Sequence, residues 1–255
     1  MFGQPNAAEL VERYISSGHY LCDEAELRLF ELPNAAELLK IYVSLICLSK
    51  EAQLKMLELP KAEKLIKIYI SKYKLCDKAE LRLLELPNAA ELAERYISFG
   101  YCLSNEAQLK ILELPNAAEL AERYISFGYC LCDEAELRLL ELPNAAELLE
   151  IYVSEYNLCV KAELRMLKLS NAEELLKVYV SKNILRDGTE LKMLELPNAE
   201  ELLKIYVSKN SLCKEAQFKM IELPNSTELL KIYISRRGLC QEAQLKMLKY
   251  LRQKS

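Results

Sequence analysis

The chain has 255 residues, of which 51% are hydrophobic and 28% are charged, and its formal net charge is −4 at pH 7. A chain that is half apolar and holds only six glycines is neither disordered nor collagen-like. No apolar run approaches the ~20 residues that a membrane-spanning helix needs, so we expect no membrane association. The acidic balance also makes nucleic acid an unfavourable partner.

A stretch of 27 or 28 residues occurs nine times, and we number these copies as repeats 1 to 9. The copies begin at Pro5, Pro33, Pro60, Pro87, Pro115, Pro143, Ser170, Pro197 and Pro224. All eight prolines of the chain stand at this position. A tyrosine follows nine residues later in every copy, at Tyr14, Tyr42, Tyr69, Tyr96, Tyr124, Tyr152, Tyr179, Tyr206 and Tyr233. The sequence therefore predicts one continuous repeat array over residues 5–252, with short tails at 1–4 and 253–255.

The first half of each repeat predicts a helix that begins at the asparagine after proline. In repeat 2, the stretch 34–37 reads Asn-Ala-Ala-Glu, which is typical of a capping box formed by Asn34 and Glu37. Apolar residues follow with helical period, at Leu38, Leu39, Tyr42 and Val43. Because proline disfavours helical geometry in the residue before it, the same proline ends the preceding helix.

The second half of each repeat predicts another helix, which starts near Asp23 in repeat 1. Asp23 and Glu26 have the spacing of a second capping box. The same pattern returns at Asp77–Glu80, Asn105–Gln108, Asp133–Glu136 and Asp187–Glu190. We therefore expect the recurrent carboxylates to cap helices or to face outward, whereas Ala25, Leu29 and Leu32 form the apolar stripe.

Helices of about a dozen residues are marginal in water, so neighbouring repeats must stack to bury their apolar faces. The predicted fold is all-α, an α-solenoid of αα-hairpin repeats stacked into a superhelix. In its paired short helices and periodicity, the stretch from Pro5 to Arg252 resembles the broad class of α-helical repeat proteins, which includes the tetratricopeptide, HEAT and armadillo families. The period is shorter than in those families and their signature residues are missing, so no named family is assigned. Resemblance to this class implies binding of proteins or peptides along an extended surface.

The turn between the two helices varies most among the repeats, and repeat proteins often place their binding residues on one such face. Repeats 1, 4 and 5 share a longer form, Glu-Arg-Tyr-Ile-Ser-x-Gly. The candidate partner-binding residues are Tyr20, Tyr73, Phe99, Tyr101, Phe127, Tyr129, Tyr156, Arg95 and Arg123. The alternative is that the aromatic residues pack between neighbouring turns.

Six of the nine cysteines occupy one column before the second helix: Cys22, Cys76, Cys132, Cys159, Cys213 and Cys240. The N-terminal stretch MFGQPNAAEL predicts no signal peptide, so we expect a reducing, cytoplasmic setting. A cysteine beside a helix start is either a small, half-buried residue or a thiolate whose pKa the helix lowers. With one histidine and no CxxC pair, the sequence predicts no metal site.

The sequence contains no phosphate-binding loop, nucleophile motif or metal-ligand spacing, so it predicts no cofactor and no enzymatic activity. The first functional hypothesis is therefore a scaffold for a protein or peptide. The second is binding of single-stranded nucleic acid by the lysine column Lys40, Lys67, Lys177, Lys204 and Lys231. Four repeats oppose it with Glu12, Glu94, Glu122 and Glu150 at the same position. The third is self-association through uncapped ends of the array.

Overall fold

Every predicted repeat forms two short α-helices. A computed structural model describes residues 7–32, 34–60 and 62–254, and these residues contain eighteen helices and no strand. The repeat starts Pro5 and Pro33, the predicted tail 1–4 and Ser255 lie outside the described residues. The last helix extends to Lys254, into the predicted tail 253–255.

The first helices of the repeats form layer A, and the second helices form layer B. Layer A consists of α1 (Ala7–Ser16), α3 (Ala35–Leu45), α5 (Glu63–Ile70), α7 (Ala89–Ser98), α9 (Ala117–Ser126), α11 (Ala145–Tyr152), α13 (Ala172–Tyr179), α15 (Ala199–Val207) and α17 (Ser226–Ile234). Layer B consists of α2 (Asp23–Leu29), α4 (Lys50–Glu58), α6 (Asp77–Leu83), α8 (Asn105–Ile111), α10 (Asp133–Leu139), α12 (Val160–Met166), α14 (Asp187–Met193), α16 (Lys214–Glu222) and α18 (Gln241–Lys254).

Contacts divide the chain into an N-terminal half, Met1–Tyr129, and a C-terminal half, Cys130–Ser255. In the N-terminal half, α1, α3, α5, α7 and α9 pack in sequence order, as do α2, α4, α6 and α8. In the C-terminal half, α11, α13, α15 and α17 form one layer, and α10, α12, α14, α16 and α18 form the other. Within each half, a layer B helix also contacts the layer A helix that follows it. This repeated helix packing confirms the α-solenoid fold.

A tight turn joins each layer B helix to the next layer A helix. In repeat 4, Ala89 N–H donates to Leu86 C=O at 2.9 Å, and Asn88 has φ −107° and ψ 29°. Leu86 to Ala89 therefore form a type I turn with Pro87 at the position that proline favours. Asn88 makes no side-chain cap bond, and Asn34 makes none either, so the predicted asparagine capping box is wrong. Since the turn already supplies an acceptor for the first helical N–H, the asparagine takes the geometry of a turn residue.

Leucine, alanine and one tyrosine per repeat form the core between the layers. The tyrosines of repeats 2 to 9 are fully buried: Tyr42, Tyr69, Tyr96, Tyr124, Tyr152, Tyr179, Tyr206 and Tyr233. We call them the tyrosine column. Burial of a large apolar side chain stabilises a fold by about 2–3 kcal/mol. A buried phenolic hydroxyl, however, needs a hydrogen-bond partner.

Candidate functional site

Five buried glutamates accept hydrogen bonds from the hydroxyls of five of the eight tyrosines in the tyrosine column. Glu26, Glu80, Glu136, Glu163 and Glu190 are each at most 4% exposed. One carboxylate oxygen of each accepts a hydrogen bond from the tyrosine of the following repeat, at 2.5–2.9 Å. The other oxygen accepts the backbone N–H at the N-cap of the following layer B helix, at 2.6–3.3 Å. Each glutamate therefore joins both layers of the next repeat.

These glutamates correct the prediction of a second capping box. The N-cap of α2 is Cys22, so Asp23 is the first helical residue and Glu26 lies too far along the helix to cap it. The prediction that the recurrent carboxylates cap helices or face outward is wrong for the five buried glutamates. One sequence signal could have found them: this position is glutamate or glutamine in all nine repeats, whereas the residues two and three positions before it vary in type.

Glutamine at the same position uses a different arrangement. Gln53 Nε2 donates to Leu48 C=O at 3.0 Å, and Gln53 Oε1 accepts Cys76 N–H at 2.7 Å. The amide therefore still binds the next N-cap, but it lacks the second oxygen that accepts the next tyrosine in the glutamate repeats. A turn cysteine takes that place, since Cys47 Sγ lies 3.2 Å from the hydroxyl oxygen of Tyr69.

The same exchange of partners occurs in repeat 4. Gln108 Nε2 donates to Leu103 C=O at 3.2 Å, and Cys102 Sγ lies 3.4 Å from the Tyr124 hydroxyl oxygen. In repeat 8, which carries Gln217, the corresponding turn residue is Ser211, but the buried Tyr233 hydroxyl makes no hydrogen bond in the part of the chain that the structure describes. Glutamine in layer B is thus accompanied by a polar cysteine or serine in the turn wherever a tyrosine of a further repeat follows.

Two of the residues by which repeat 7 departs from the consensus donate hydrogen bonds to the same glutamate. Arg186 replaces the column cysteine, and its Nη1 donates to Glu163 Oε1 at 2.7 Å. Thr189 replaces the usual alanine, and its hydroxyl donates to Glu163 Oε2 at 2.7 Å. Both substitutions therefore add donors to a buried carboxylate, which compensates part of its desolvation.

Burial favours the protonated, neutral form of the tyrosines and of Glu190 in this hydrogen-bond network. Burial is the largest cause that raises the pKa of Tyr42 and of Tyr206 above 10, and the hydrogen bond to glutamate adds to it. Burial likewise raises the pKa of the Glu190 carboxyl, against the hydrogen bonds from Tyr206 and Cys213. The tyrosines therefore remain neutral donors at neutral pH.

Two of the six cysteines that precede the layer B helices, Cys159 and Cys213, are not activated thiolates. Burial raises the pKa of Cys159 and of Cys213 to about 11. Each Sγ accepts the N–H three residues on, at 3.4 Å, so both residues cap helices. At these two positions the alternative of a lowered thiol pKa is wrong, because desolvation outweighs the helix N-terminus.

Four of the predicted binding tyrosines are half-buried against the tyrosine column. The rings of Tyr73, Tyr101, Tyr129 and Tyr156 lie with their centroids 4.9–5.3 Å from the column tyrosines of their own repeats. The Tyr129 hydroxyl also donates to Gly100 C=O in the preceding turn. These contacts favour packing as the role of the turn tyrosines, which was the alternative to partner binding.

The other predicted residues are exposed, and four of them belong to layer A of repeats 4 and 5. Tyr20 is exposed in the turn of repeat 1, whereas Phe99 and Phe127 are exposed at the C-caps of α7 and α9. Arg95 lies with its guanidinium carbon 5.8 Å from the Phe99 ring centroid. The structure therefore separates Tyr20 from this group.

Arg123 joins α9 to α7 across a groove. Its Nη2 lies 2.7 Å from Glu94 Oε1, and its Nη1 donates to Ser98 Oγ at 3.0 Å. The groove holds about 340 Å³ and is lined by Glu94, Asn116, Glu119, Leu120, Glu122, Arg123 and Ser126. We call it the α7–α9 groove. The Oδ1 of Asn116 is buried and makes no hydrogen bond, and the same holds for Asn144 Oδ1 at the equivalent position of repeat 6, so this oxygen does not distinguish the groove.

Asp187, Cys213 and Glu215 bring potential metal ligands within 4.8 Å of one another. The cluster lies at the N-termini of α14 and α16, where unpaired backbone N–H groups disfavour a cation. The donor set therefore does not fit a resident metal ion.

Among the described helices, none combines the length and apolarity that crossing a bilayer requires. Comparison of the chain with protein-family models, with curated proteins and with solved structures found no match. The functional argument accordingly rests on the geometry of the chain itself.

Proposed function

We propose that this chain is a non-enzymatic scaffold, without a cofactor, that binds a protein or peptide at layer A of repeats 4 and 5. The α7–α9 groove carries this proposal, because it is an accessible cleft that combines the exposed carboxylates of Glu119 and Glu122 with Arg123. Phe127 follows Ser126, which lines the groove, and offers an exposed aromatic anchor at one end. Aromatic and arginine side chains are enriched at the centres of protein interfaces.

The charges of the groove favour a partner with basic side chains. Glu119 and Glu122 are exposed and form no ion pair in the part of the chain that the structure describes, whereas Arg123 is engaged with Glu94. A lysine or arginine of an extended peptide could form charge-assisted hydrogen bonds with these carboxylates. The nine free thiols are in keeping with a reducing, cytoplasmic setting, which we include in the proposal.

The lysine column gives little support to nucleic-acid binding. Lys67 Nζ lies 2.5 Å from Glu63 and 2.6 Å from Glu91, and Lys231 Nζ lies 2.8 Å from Glu228. A phosphate backbone would have to displace these carboxylates. We therefore propose a protein or peptide, rather than a nucleic acid, as the partner.

Site-specific photo-crosslinking in lysate of the source cell tests the proposal. A photoreactive p-benzoylphenylalanine in place of Phe127 should label a discrete protein, and nuclease treatment should not remove the product. The matched control carries the same group in place of Lys110, which lies in layer B of repeat 4 with its side chain 41% exposed. It should not label that protein.

The double variant Glu119→Lys/Glu122→Lys should abolish labelling from position 127, while circular dichroism remains unchanged. Equal labelling from both layers would contradict the proposed site. A product that disappears with nuclease would favour the lysine column instead.

A further inference from the structure

Repeat 9 exposes the side that every earlier repeat presents to its successor. Ile234 and Leu248 are each 53% exposed, whereas Val207 and Ile221, at the same positions of repeat 8, are 0% exposed. Val207 and Ile221 face repeat 9, which covers them. We call Ile234, Gln244 and Leu248 the C-terminal face.

Repeat 1 exposes the opposite side of the same interface. Leu10 and Tyr14 are 45% and 37% exposed, whereas Leu38 and Tyr42 in repeat 2 are 1% and 0% exposed. We call Leu10, Tyr14 and the backbone N–H of Cys22 the N-terminal face. Each face is one half of the contact that the chain already makes between consecutive repeats.

The polar groups of the two faces also match. Gln244 Nε2 donates to Leu239 C=O at 2.9 Å, the arrangement of Gln217 with Leu212. Gln217 Oε1 accepts Cys240 N–H at 2.8 Å. Gln244 Oε1 is therefore oriented to accept the N–H of an N-cap such as Cys22. The Tyr14 hydroxyl already donates to Tyr20 C=O at 3.3 Å. It therefore needs no partner from Gly238, which stands where other repeats have a turn cysteine.

We infer that the C-terminal face of one copy of this chain binds the N-terminal face of a second copy, head to tail. The contact repeats the geometry of the internal interfaces, and it would place Lys231 opposite Glu9, as Lys67 stands opposite Glu91 at 2.6 Å. Lys249 would face Arg28, which has the same charge. The chain already contains such a pair within the array, because Lys168 and Lys192 hold the corresponding positions of repeats 6 and 7. Such an interface is heterologous, so it forms rings or open chains of copies.

Sedimentation velocity over a range of concentrations tests this association. The average mass of the unmodified chain should rise with concentration. Leu248→Asp blocks the C-terminal face and Leu10→Asp blocks the N-terminal face, so each variant alone should remain monomeric. Ile184→Asp, at an exposed apolar side chain in the turn of repeat 7, is the matched control and should associate like the unmodified chain.

The decisive sample is an equimolar mixture of the Leu248→Asp and Leu10→Asp chains. Each retains the face that the other has lost, so the mixture should form a dimer with one of each chain and no larger species. An unmodified chain that is monomeric at every concentration would overturn the inference. Dimers of Leu10→Asp alone would also overturn it, because they would reveal a symmetric contact. Neither face includes a residue of the α7–α9 groove, so the outcome is independent of peptide binding.

Discussion

At the scale of the residue, the choice between glutamate and glutamine decides where the next tyrosine finds its partner. A glutamate accepts both the tyrosine hydroxyl and the N-cap N–H, as Glu190 does with Tyr206 and Cys213. A glutamine accepts only the N-cap N–H, and a turn cysteine contacts the tyrosine hydroxyl instead. Gln53 thus accepts Cys76 N–H, while Cys47 contacts Tyr69. The two positions are therefore coupled in repeats 2 and 4, whereas in repeat 5 both Glu136 and the turn Cys130 contact Tyr152.

This coupling predicts that Glu190→Gln will destabilise the fold by about 1–3 kcal/mol, because the Tyr206 hydroxyl becomes a buried, unpaired group. The turn residue of that repeat is Ile184, which offers no hydrogen bond. The double variant Glu190→Gln/Ile184→Ser should recover part of the loss, and Ile184→Ser alone should have little effect because Ile184 is exposed. Urea unfolding followed by circular dichroism measures all three changes. Equal stability of the single and double variants would show that the hydroxyl does not need the turn partner.

At the scale of the element, glycine plays opposite roles in the turns and in α14. Gly18, Gly100 and Gly128 lie two residues after the ends of α1, α7 and α9, in the longer turns of repeats 1, 4 and 5. Their φ angles lie between +76° and +80°. Gly188 instead lies in the first turn of α14, without a positive φ. A side chain is strained at the first three positions and favourable at the fourth.

The pair Gly128→Ala and Gly188→Ala tests this difference without a steric contribution, since a Cβ at either position meets nothing within 4 Å. Gly128→Ala should destabilise the chain by about 1–2 kcal/mol, owing to its positive φ. Gly188→Ala should stabilise it by about 0.5–1 kcal/mol, because alanine favours the helix and restricts the unfolded chain. Thermal unfolding measures both, and shifts of the same sign would contradict the conformational argument.

At the scale of the whole molecule, the tyrosine column links stability to high pH. Burial is the largest cause that raises the pKa of all eight column tyrosines above the usual 10.0. A raised folded-state pKa means that the neutral hydroxyl is favoured in the fold. The resulting stability is complete below pH 10 and is lost as pH rises above it.

We therefore expect alkaline unfolding in which the tyrosinate absorbance of the column rises together with the loss of helical circular dichroism. Tyr206→Phe supplies the comparison, because it removes one of these ionisations and should reduce the steepness of the pH dependence by about one proton. Complete tyrosinate formation with the helical signal intact would contradict burial of the column. Free tyrosine in the same buffers calibrates the absorbance.

The sequence by itself determined that there are two helices per repeat and where each begins and ends within a few residues. Proline, asparagine and the period of the leucines are local signals, and the neighbouring repeats impose the same stacking on each copy. The longer repeats 1, 4 and 5 could also be identified from the sequence, since each carries one extra turn residue.

Only the tertiary structure decided what the recurrent glutamates do and which turn aromatics are exposed. Glu26 meets Tyr42 and the N-cap at Ser49, which lie 16 and 23 residues further along the chain. A carboxylate near a helix start can cap that helix or bind the next repeat, and local spacing does not distinguish the two. The second outcome prevails because stacking buries a tyrosine hydroxyl and a backbone N–H, and both need an acceptor that water no longer provides.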